Sequence, residues 1–171
     1  MSLPLELRRK VLIAYDNSLC AQKTYKYAID KVLIPGRDHV VIVSVINADK
    51  SKWFDKPSLD AAAAWGLVEE EDYRKRVKEI ESNTETILNG ITAEIRESVK
   101  DVTTQIVVLH GSAGAEIAKY AADAHVDLLV VGTRGLGAVK RNIVGSVSDF
   151  LVHNAHTSVL VAKPTGNDVT H

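Results

Sequence analysis

A glycine-rich stretch, residues 132–146, carries the residue types best suited to binding chemistry. It reads GTRGLGAVKRNIVGS and follows the apolar run 128–131, which is typical of a buried strand. Glycines allow sharp turns and close backbone approach to a ligand, and basic side chains stand between them. Gly145 and Ser146 open a segment with helical periodicity, and the amino end of a helix carries partial positive charge. We therefore predict an anion site here, most naturally for phosphate.

Two widespread nucleotide-binding fingerprints do not fit this stretch. A dinucleotide-binding loop needs GxGxxG after the first strand, whereas Gly132, Gly135 and Gly137 have another spacing and follow the fourth predicted strand. A P-loop needs GxxxxGK followed by Ser or Thr, and the chain contains no such string. The sequence therefore supports neither a nicotinamide dehydrogenase nor a P-loop NTPase.

Apolar runs alternate with amphipathic segments along most of the chain. The predicted strands cover 11–14, 40–46, 104–109, 128–131 and 159–162. Helical spacing of apolar residues marks four main helices, at 21–32, 73–99, 115–122 and after Ser146. This order predicts an α/β fold, a doubly wound, five-stranded parallel sheet of Rossmann-like type. In such sheets, ligands bind beyond the carboxyl ends of the strands, at the point where the winding direction switches.

The whole chain, 1–171, is predicted to form a single domain with its core at 8–164. A long connection at 47–75 breaks the regular alternation, and the last residues, 165–171, are predicted to fray. We expect a short helix at 58–65 within the connection, and we expect the connection to cover the sheet edge or the mouth of the ligand site. The predicted helix at 73–99 should be a surface helix with one buried stripe.

Composition limits the classes of function. A hydrophobic content of 46% and a charged content of 25% are typical of a soluble globular protein. A net charge of −1 gives no broad footprint for nucleic acid or a membrane surface, and no apolar run is long enough to span a bilayer. The single cysteine, Cys20, is interpreted as a small helix residue, and it excludes an internal disulfide. We expect a cytoplasmic protein that binds neither nucleic acid nor membrane.

The spacing Gly132-x-x-Gly135, nine residues, then Gly145-Ser146 resembles the ATP-binding signature of the universal stress protein family. Further segments resemble the family as well: VLIAYDNS, VVIVSVINA, HGSAGAEIAKYAADAHVDLLVVGTRG and TSVLVAK. The resemblance covers the chain apart from the connection at 47–75 and the last seven residues. It implies a fold of the adenine nucleotide alpha hydrolase-like type that binds ATP or AMP. It also implies a homodimer formed through the last strand, at 158–163.

The resemblance further implies roles for nine residues. Ala14 and Asp16 match positions that contact the base and ribose, and Val45 matches the strand end whose backbone meets adenine. The positions around ribose and phosphates are Gly132, Arg134, Gly135, Gly145, Ser146 and Ser148. Asp16 is also the candidate ligand for a Mg²⁺ ion that accompanies the nucleotide. These assignments agree with the chemistry, because carboxylates accept hydrogen bonds from ribose hydroxyls and serine hydroxyls donate to phosphate.

Three functions stay open at this level. The chain could be a nucleotide-dependent regulator of the stress response, a slow ATP hydrolase or phosphotransferase, or an interaction protein with a vestigial nucleotide site. Phosphoryl transfer needs metal ligands and a group that orients the nucleophile. The sequence beside the glycine-rich stretch offers no second carboxylate and no evident base. We therefore assign no catalytic residue and favour binding over catalysis.

Overall fold

The computed structural model describes residues 2–46, 70–133 and 145–163, without the side chains of Glu70 and Tyr73. These residues form a short 3-10 turn at Leu5–Leu7, followed by five strands and four helices. They are β1 (Arg9–Ala14), α1 (Leu19–Lys31), β2 (Asp38–Ile46), α2 (Glu70–Ser98), β3 (Thr103–His110), α3 (Ala113–Asp123), β4 (Leu128–Gly132), α4 (Ser146–Asn154) and β5 (Ser158–Ala162). The predicted set of strands and main helices is confirmed. The short helix predicted at 58–65 and the tail at 165–171 lie outside the described residues.

All neighbouring strands of the sheet are parallel, in the order β3-β2-β1-β4-β5. From β1 the chain winds outwards through β2 to β3, then returns to place β4 on the other side of β1, and ends at β5. The direction of winding therefore switches between β1 and β4. This is the doubly wound arrangement that the alternation of elements predicted.

Two apolar layers hold the sheet between its helices. Ile13, Val40 and Ile42 pack on one face with residues of α1 and α2, such as Ala28 and Leu88. On the other face, the neighbouring positions of the same strands pack with residues of α3 and α4. Because both faces are covered, the inner parts of β1, β2 and β4 are runs of consecutive apolar residues rather than an alternation of apolar and polar ones.

Helix α2 buries only part of the apolar stripe predicted for it. Leu88, Ile91 and Ile95 in its second half are at most 5% exposed, whereas Ile80 is 41% and Ile87 is 38% exposed. A helix of 29 residues is roughly 44 Å long, whereas the longest strand, β2, has nine residues and spans about 30 Å. The sheet is thus too short to cover the whole stripe. No helix of the described part of the chain is both long and apolar enough to cross a membrane.

An ion pair with a buried carboxylate joins the first residues of β1 and β2, at the amino ends of these strands. The guanidinium of Arg9 donates to Asp38 through Nε (3.0 Å to Oδ1) and Nη2 (2.7 Å to Oδ2). Asp38 is fully buried, and its Oδ2 also accepts the Ile34 N–H at 2.7 Å. Nη2 of Arg9 donates to the Val32 carbonyl at 2.8 Å as well, so the pair also fixes the chain between α1 and β2.

His39, next to this pair on β2, is half-buried against β3. Its Nδ1 lies 2.9 Å from the Thr103 hydroxyl, and its Nε2 lies 3.5 Å from Oε1 of Gln105. Burial lowers the pKa of His39 below its ordinary value of 6.5, and the charges of Lys10 and Arg8 act in the same direction. The hydrogen bond to Gln105 opposes this shift. The folded chain therefore keeps His39 neutral at a pH where the unfolded chain protonates it.

This depressed pKa predicts a loss of stability on acidification. Below pH 6.5 and above the folded pKa, the unfolded state binds more protons, so the free energy of unfolding falls as the pH falls. We expect His39→Gln to reduce that loss. Urea unfolding at about pH 7.5 and about pH 5 measures it for both proteins. The exposed His156 offers the control, since His156→Gln should leave the loss unchanged. An equal loss in the wild type and His39→Gln would contradict the prediction.

Candidate functional site

At the switch point, β1 and β4 stop pairing before their carboxyl ends, and we call the space beyond these ends the crevice. The pairing of these two strands ends at Ile13 and Val130. On the flanks, β1 stays paired with β2 as far as Ala14, and β4 stays paired with β5 as far as Gly132. The last residues of β4 therefore continue without a partner in β1. Such a crevice is where open α/β sheets bind their ligands.

The turn from β1 into α1 forms one wall of the crevice and carries Asp16. Oδ1 of Asp16 accepts the Ser18 N–H at 3.1 Å, and Oγ of Ser18 accepts the Ala21 N–H at 3.1 Å. Ser18 thereby caps the amino end of α1. Asn17 has a φ of 60°, and its Oδ1 accepts the Tyr15 hydroxyl at 3.2 Å. These bonds hold the half-buried Asp16 carboxylate in one orientation at the end of β1.

Tyr15 is suited to hold this turn. Its side chain is buried in the core beside Tyr25, with ring centroids 6.1 Å apart. The phenol donates to Asn17, and burial raises the pKa of Tyr15 above its ordinary value of 10.0, so the donor persists further into alkaline pH. The loop residue beside Asp16 is thus tied to the core through a hydrogen bond.

The junction of β4 and α4 forms the opposite wall. The Gly145 N–H donates to the Thr133 carbonyl at 2.5 Å, and the Thr133 N–H donates to the Ala162 carbonyl at 3.0 Å. Helix α4 therefore begins directly beside the carboxyl end of β4, although eleven residues separate Thr133 from Gly145 in sequence. Gly145 occupies the cap position, and no described side chain caps the helix there. The amino end of α4 thus offers backbone N–H groups and partial positive charge at the switch point.

The structure places six further predicted site residues around these walls. Ala14 ends β1, Gly132 ends β4, and Val45 lies half-buried near the end of β2. Gly145 caps α4, and the exposed Ser146 is its first residue. Ser148 is only 1% exposed, and its hydroxyl donates to the Gly145 carbonyl at 2.9 Å, so it supports the start of the helix. Arg134 and Gly135 lie outside the described residues.

Sequence reasoning missed two residues of this region, Cys20 and Thr133. Sγ of Cys20, on the first turn of α1, lies 3.9 Å from Oγ1 of Thr133 just after β4. Cys20 is half-exposed and is the single cysteine of the chain. The two residues are 113 positions apart, and only the strand order brings them together. Knowledge that β4 lies beside β1 was the missing signal.

The carboxylate of Asp16 fits a metal ion that arrives with a phosphate ligand. No group of three or more His, Cys, Asp or Glu side chains that could hold a metal occurs in the described ranges. Mg²⁺ usually keeps several waters and binds through one or two carboxylates together with substrate phosphates. One carboxylate at the mouth of the crevice therefore suits Mg²⁺ carried by a nucleotide better than a resident metal.

Comparison with known sequences gives one consistent result. The model of the universal stress protein family matches residues 7–163. The chain is 27% identical over 160 residues to the universal stress protein MJ0531 of Methanocaldococcus jannaschii, covering 92% of this chain and 83% of that protein. It is 31% identical over 157 residues to the putative universal stress protein SH1215 of Staphylococcus haemolyticus, covering 91% and 84%.

Solved structures share the fold at lower sequence identity. The hypothetical protein MJ0577 aligns with a TM-score of 0.73 at 21% identity, covering 94% of this chain and 99% of that one. An AMP-bound universal stress protein family protein from Arabidopsis thaliana aligns with a TM-score of 0.58 at 18% identity, covering 95% and 96%. The Archaeoglobus fulgidus universal stress protein in complex with dAMP gives 0.56 at 18%, covering 92% and 99%. With its family-model match over residues 7–163, the chain belongs to the universal stress protein family.

Proposed function

We propose that this chain binds an adenine nucleotide, AMP or ATP, in the crevice between β1 and β4. In this proposal it acts in the cytoplasm as a nucleotide-dependent regulator of the stress response. The observation that carries the proposal is the Gly145–Thr133 hydrogen bond, because it holds the amino end of α4 at the switch point of the sheet. The AMP-bound and dAMP-bound relatives support an adenine nucleotide as the ligand.

The two walls of the crevice suit the two ends of a nucleotide. The amino end of α4, with Gly145 and Ser146, attracts phosphate through its N–H groups and partial positive charge. The Asp16 carboxylate, fixed in its turn, accepts hydrogen bonds from ribose hydroxyls. In the proposal, Ala14 and the backbone at Val45 meet the base.

The remaining assigned residues complete the proposed phosphate end. Gly132, Arg134, Gly135 and Ser148 lie around ribose and phosphates in this proposal. If ATP is the ligand, Asp16 would supply a carboxylate oxygen to an accompanying Mg²⁺ ion. Such an ion would neutralise part of the phosphate charge.

Calorimetry with AMP, and with ATP plus Mg²⁺, tests the proposal. We expect saturable binding of one nucleotide per chain. Asp16→Ala should weaken it by at least about tenfold, because charge-assisted hydrogen bonds each contribute about 1.5–3 kcal/mol. Asp16→Asn removes the negative charge but keeps the size of the side chain and its hydrogen bond, since the amide oxygen can still accept the Ser18 N–H. This variant therefore tests the contribution of the charge alone. The absence of any binding heat at millimolar nucleotide would sink the proposal.

Chemical labelling of Cys20 gives a second experiment, which locates the ligand. Because its thiol lies 3.9 Å from the Thr133 hydroxyl, a nucleotide in the crevice should slow the reaction of Cys20 with a maleimide. The single cysteine makes the label specific, and Cys20→Ser provides the unlabelled control. Nucleotide binding with an unchanged labelling rate would place the ligand elsewhere on the chain.

We also propose a homodimer formed through 158–163. Within the described residues, β5 lies at one edge of the sheet, with β4 as its partner. An edge strand leaves backbone donors and acceptors available for pairing with a second chain. Light scattering over a range of concentrations measures the mass, and a monomer mass throughout that range would count against this proposal.

A further inference from the structure

We propose that Gly114 is a positioning residue that sets where the amino end of α4 lies. Gly114 is buried in the first turn of α3, and Phe150 of α4 lies directly against it. Glycine at this position leaves the space that Phe150 occupies. The role in ligand binding rests on the proposed nucleotide site at the start of α4, whereas the positioning itself does not.

The contact leaves no room for a side chain at position 114. A Cβ atom added to Gly114 would stand 2.7 Å from Cδ1 of Phe150, 2.9 Å from its Cγ and 3.2 Å from its Cβ. Carbon atoms prefer separations of about 3.5–4.0 Å. Rotation about the Cα–Cβ bond can move the ring, which is partly exposed, but it leaves the Phe150 Cβ where it is. Relief of the last contact therefore needs a shift of the α4 backbone or of α3.

Such a shift would reach the proposed phosphate site. Phe150 stands one helical turn after Ser146, and α4 has only nine residues. Leu151, the next residue, is fully buried in the core that α3 and α4 share. Because this anchor resists a sliding of the whole helix, the displacement is carried to the amino end, where Gly145 donates to Thr133. Ligand contacts depend steeply on such geometry, since hydrogen bonds weaken with small changes in angle and distance.

A double-mutant cycle isolates this role. We expect Gly114→Ala to raise the Kd for AMP by about fivefold or more, and Phe150→Ala to change it by less than about twofold. In the double variant, Phe150→Ala removes the ring that the new methyl group meets, so the Kd should return to within about twofold of the wild type. Gly90→Ala is the matched control, because a Cβ at Gly90 in α2 meets no atom within 4 Å.

An NMR readout separates this inference from the proposed function. In Gly114→Ala, the amide signals of Gly145 and Ser146 should shift, and they should return in the double variant. Unmoved signals overturn the positioning role, whatever the protein binds. Shifted signals in a chain that does not bind AMP at all uphold the positioning role and reject the proposed function. A lowered melting temperature in Gly114→Ala with unmoved signals and an unchanged Kd would show a purely structural contact and also overturn the inference.

Discussion

Asp38→Ala is expected to lower the free energy of unfolding by about 3 kcal/mol, the low end of the range for breaking a buried ion pair. The low end applies because the partner, Arg9, is 34% exposed and water can solvate part of its charge after the mutation. The substitution removes both carboxylate oxygens that the guanidinium contacts and leaves the N–H of Ile34 without its acceptor. Each loss alone destabilises the folded chain.

The measurement is urea unfolding at neutral pH, with thermal unfolding as a second probe. For a protein of this size, the expected change corresponds to a fall of roughly 6–12 °C in the melting temperature. Asp30, an exposed residue of α1, gives the matched control, and Asp30→Ala should stay within about 0.5 kcal/mol of the wild type. If Asp38→Ala proves as stable as that control, the ion pair does not hold the two strands together.

The reciprocal variant distinguishes the pair from either residue alone. Arg9→Met leaves a fully buried Asp38 carboxylate without its counter-ion, which is the costlier single loss because Asp38 is inaccessible to water. The double variant Arg9→Met with Asp38→Ala should lose less stability than the sum of the two single losses, because no unpaired charge stays buried. Additive losses would show that the two side chains act independently.

The elements of this fold could be predicted because the information is local. The strands covered on both faces, such as β2, contain runs of consecutive apolar residues, and Ser18 has the side chain that caps a helix. The start of α4 at Ser146 was likewise predicted from residues next to each other in the chain. Periodicity, however, describes one helix without the surface it meets. It therefore predicted one buried stripe along the whole of α2. In the structure the stripe is exposed at Ile80, which lies beyond the end of the sheet.

Contacts between distant parts of the chain could not be predicted in this way. Arg9 and Asp38 each precede an apolar run, and neither has a spacing that reveals the other. The same holds for Gly114 and Phe150, since a missing side chain gives no signal until the facing helix is known. For the candidate site, the family resemblance that the glycine spacing carries nominated the nine residues, and their binding roles stay a prediction. The strand order explains why Asp16 and Gly145 lie at the same switch point of the sheet.

Gly145→Val is expected to abolish nucleotide binding while the chain stays folded. Gly145 has a φ of −66° and a ψ of 151°, an extended conformation that valine adopts without strain. Its N–H can still donate to Thr133, so the junction with β4 survives. The branched side chain would stand at the amino end of α4, where the phosphate must approach the backbone. The loss of two charge-assisted hydrogen bonds corresponds to a Kd about a hundredfold higher or more.

Calorimetry with AMP measures this loss, and the far-ultraviolet circular dichroism spectrum verifies the fold. Valine is a poorer helix cap than glycine, so stability should fall by up to about 1 kcal/mol, and binding is measured well below the melting temperature. Gly90→Ala again gives the glycine control: it should bind AMP normally and gain up to about 1 kcal/mol in stability, because Gly90 is an exposed residue within α2. If the wild type binds AMP and Gly145→Val binds it equally well, the phosphate does not lie at the start of α4. Since Asp16 stands on the opposite wall, Asp16→Ala could still weaken binding in that case, and the ligand would then be anchored through its sugar rather than its phosphate.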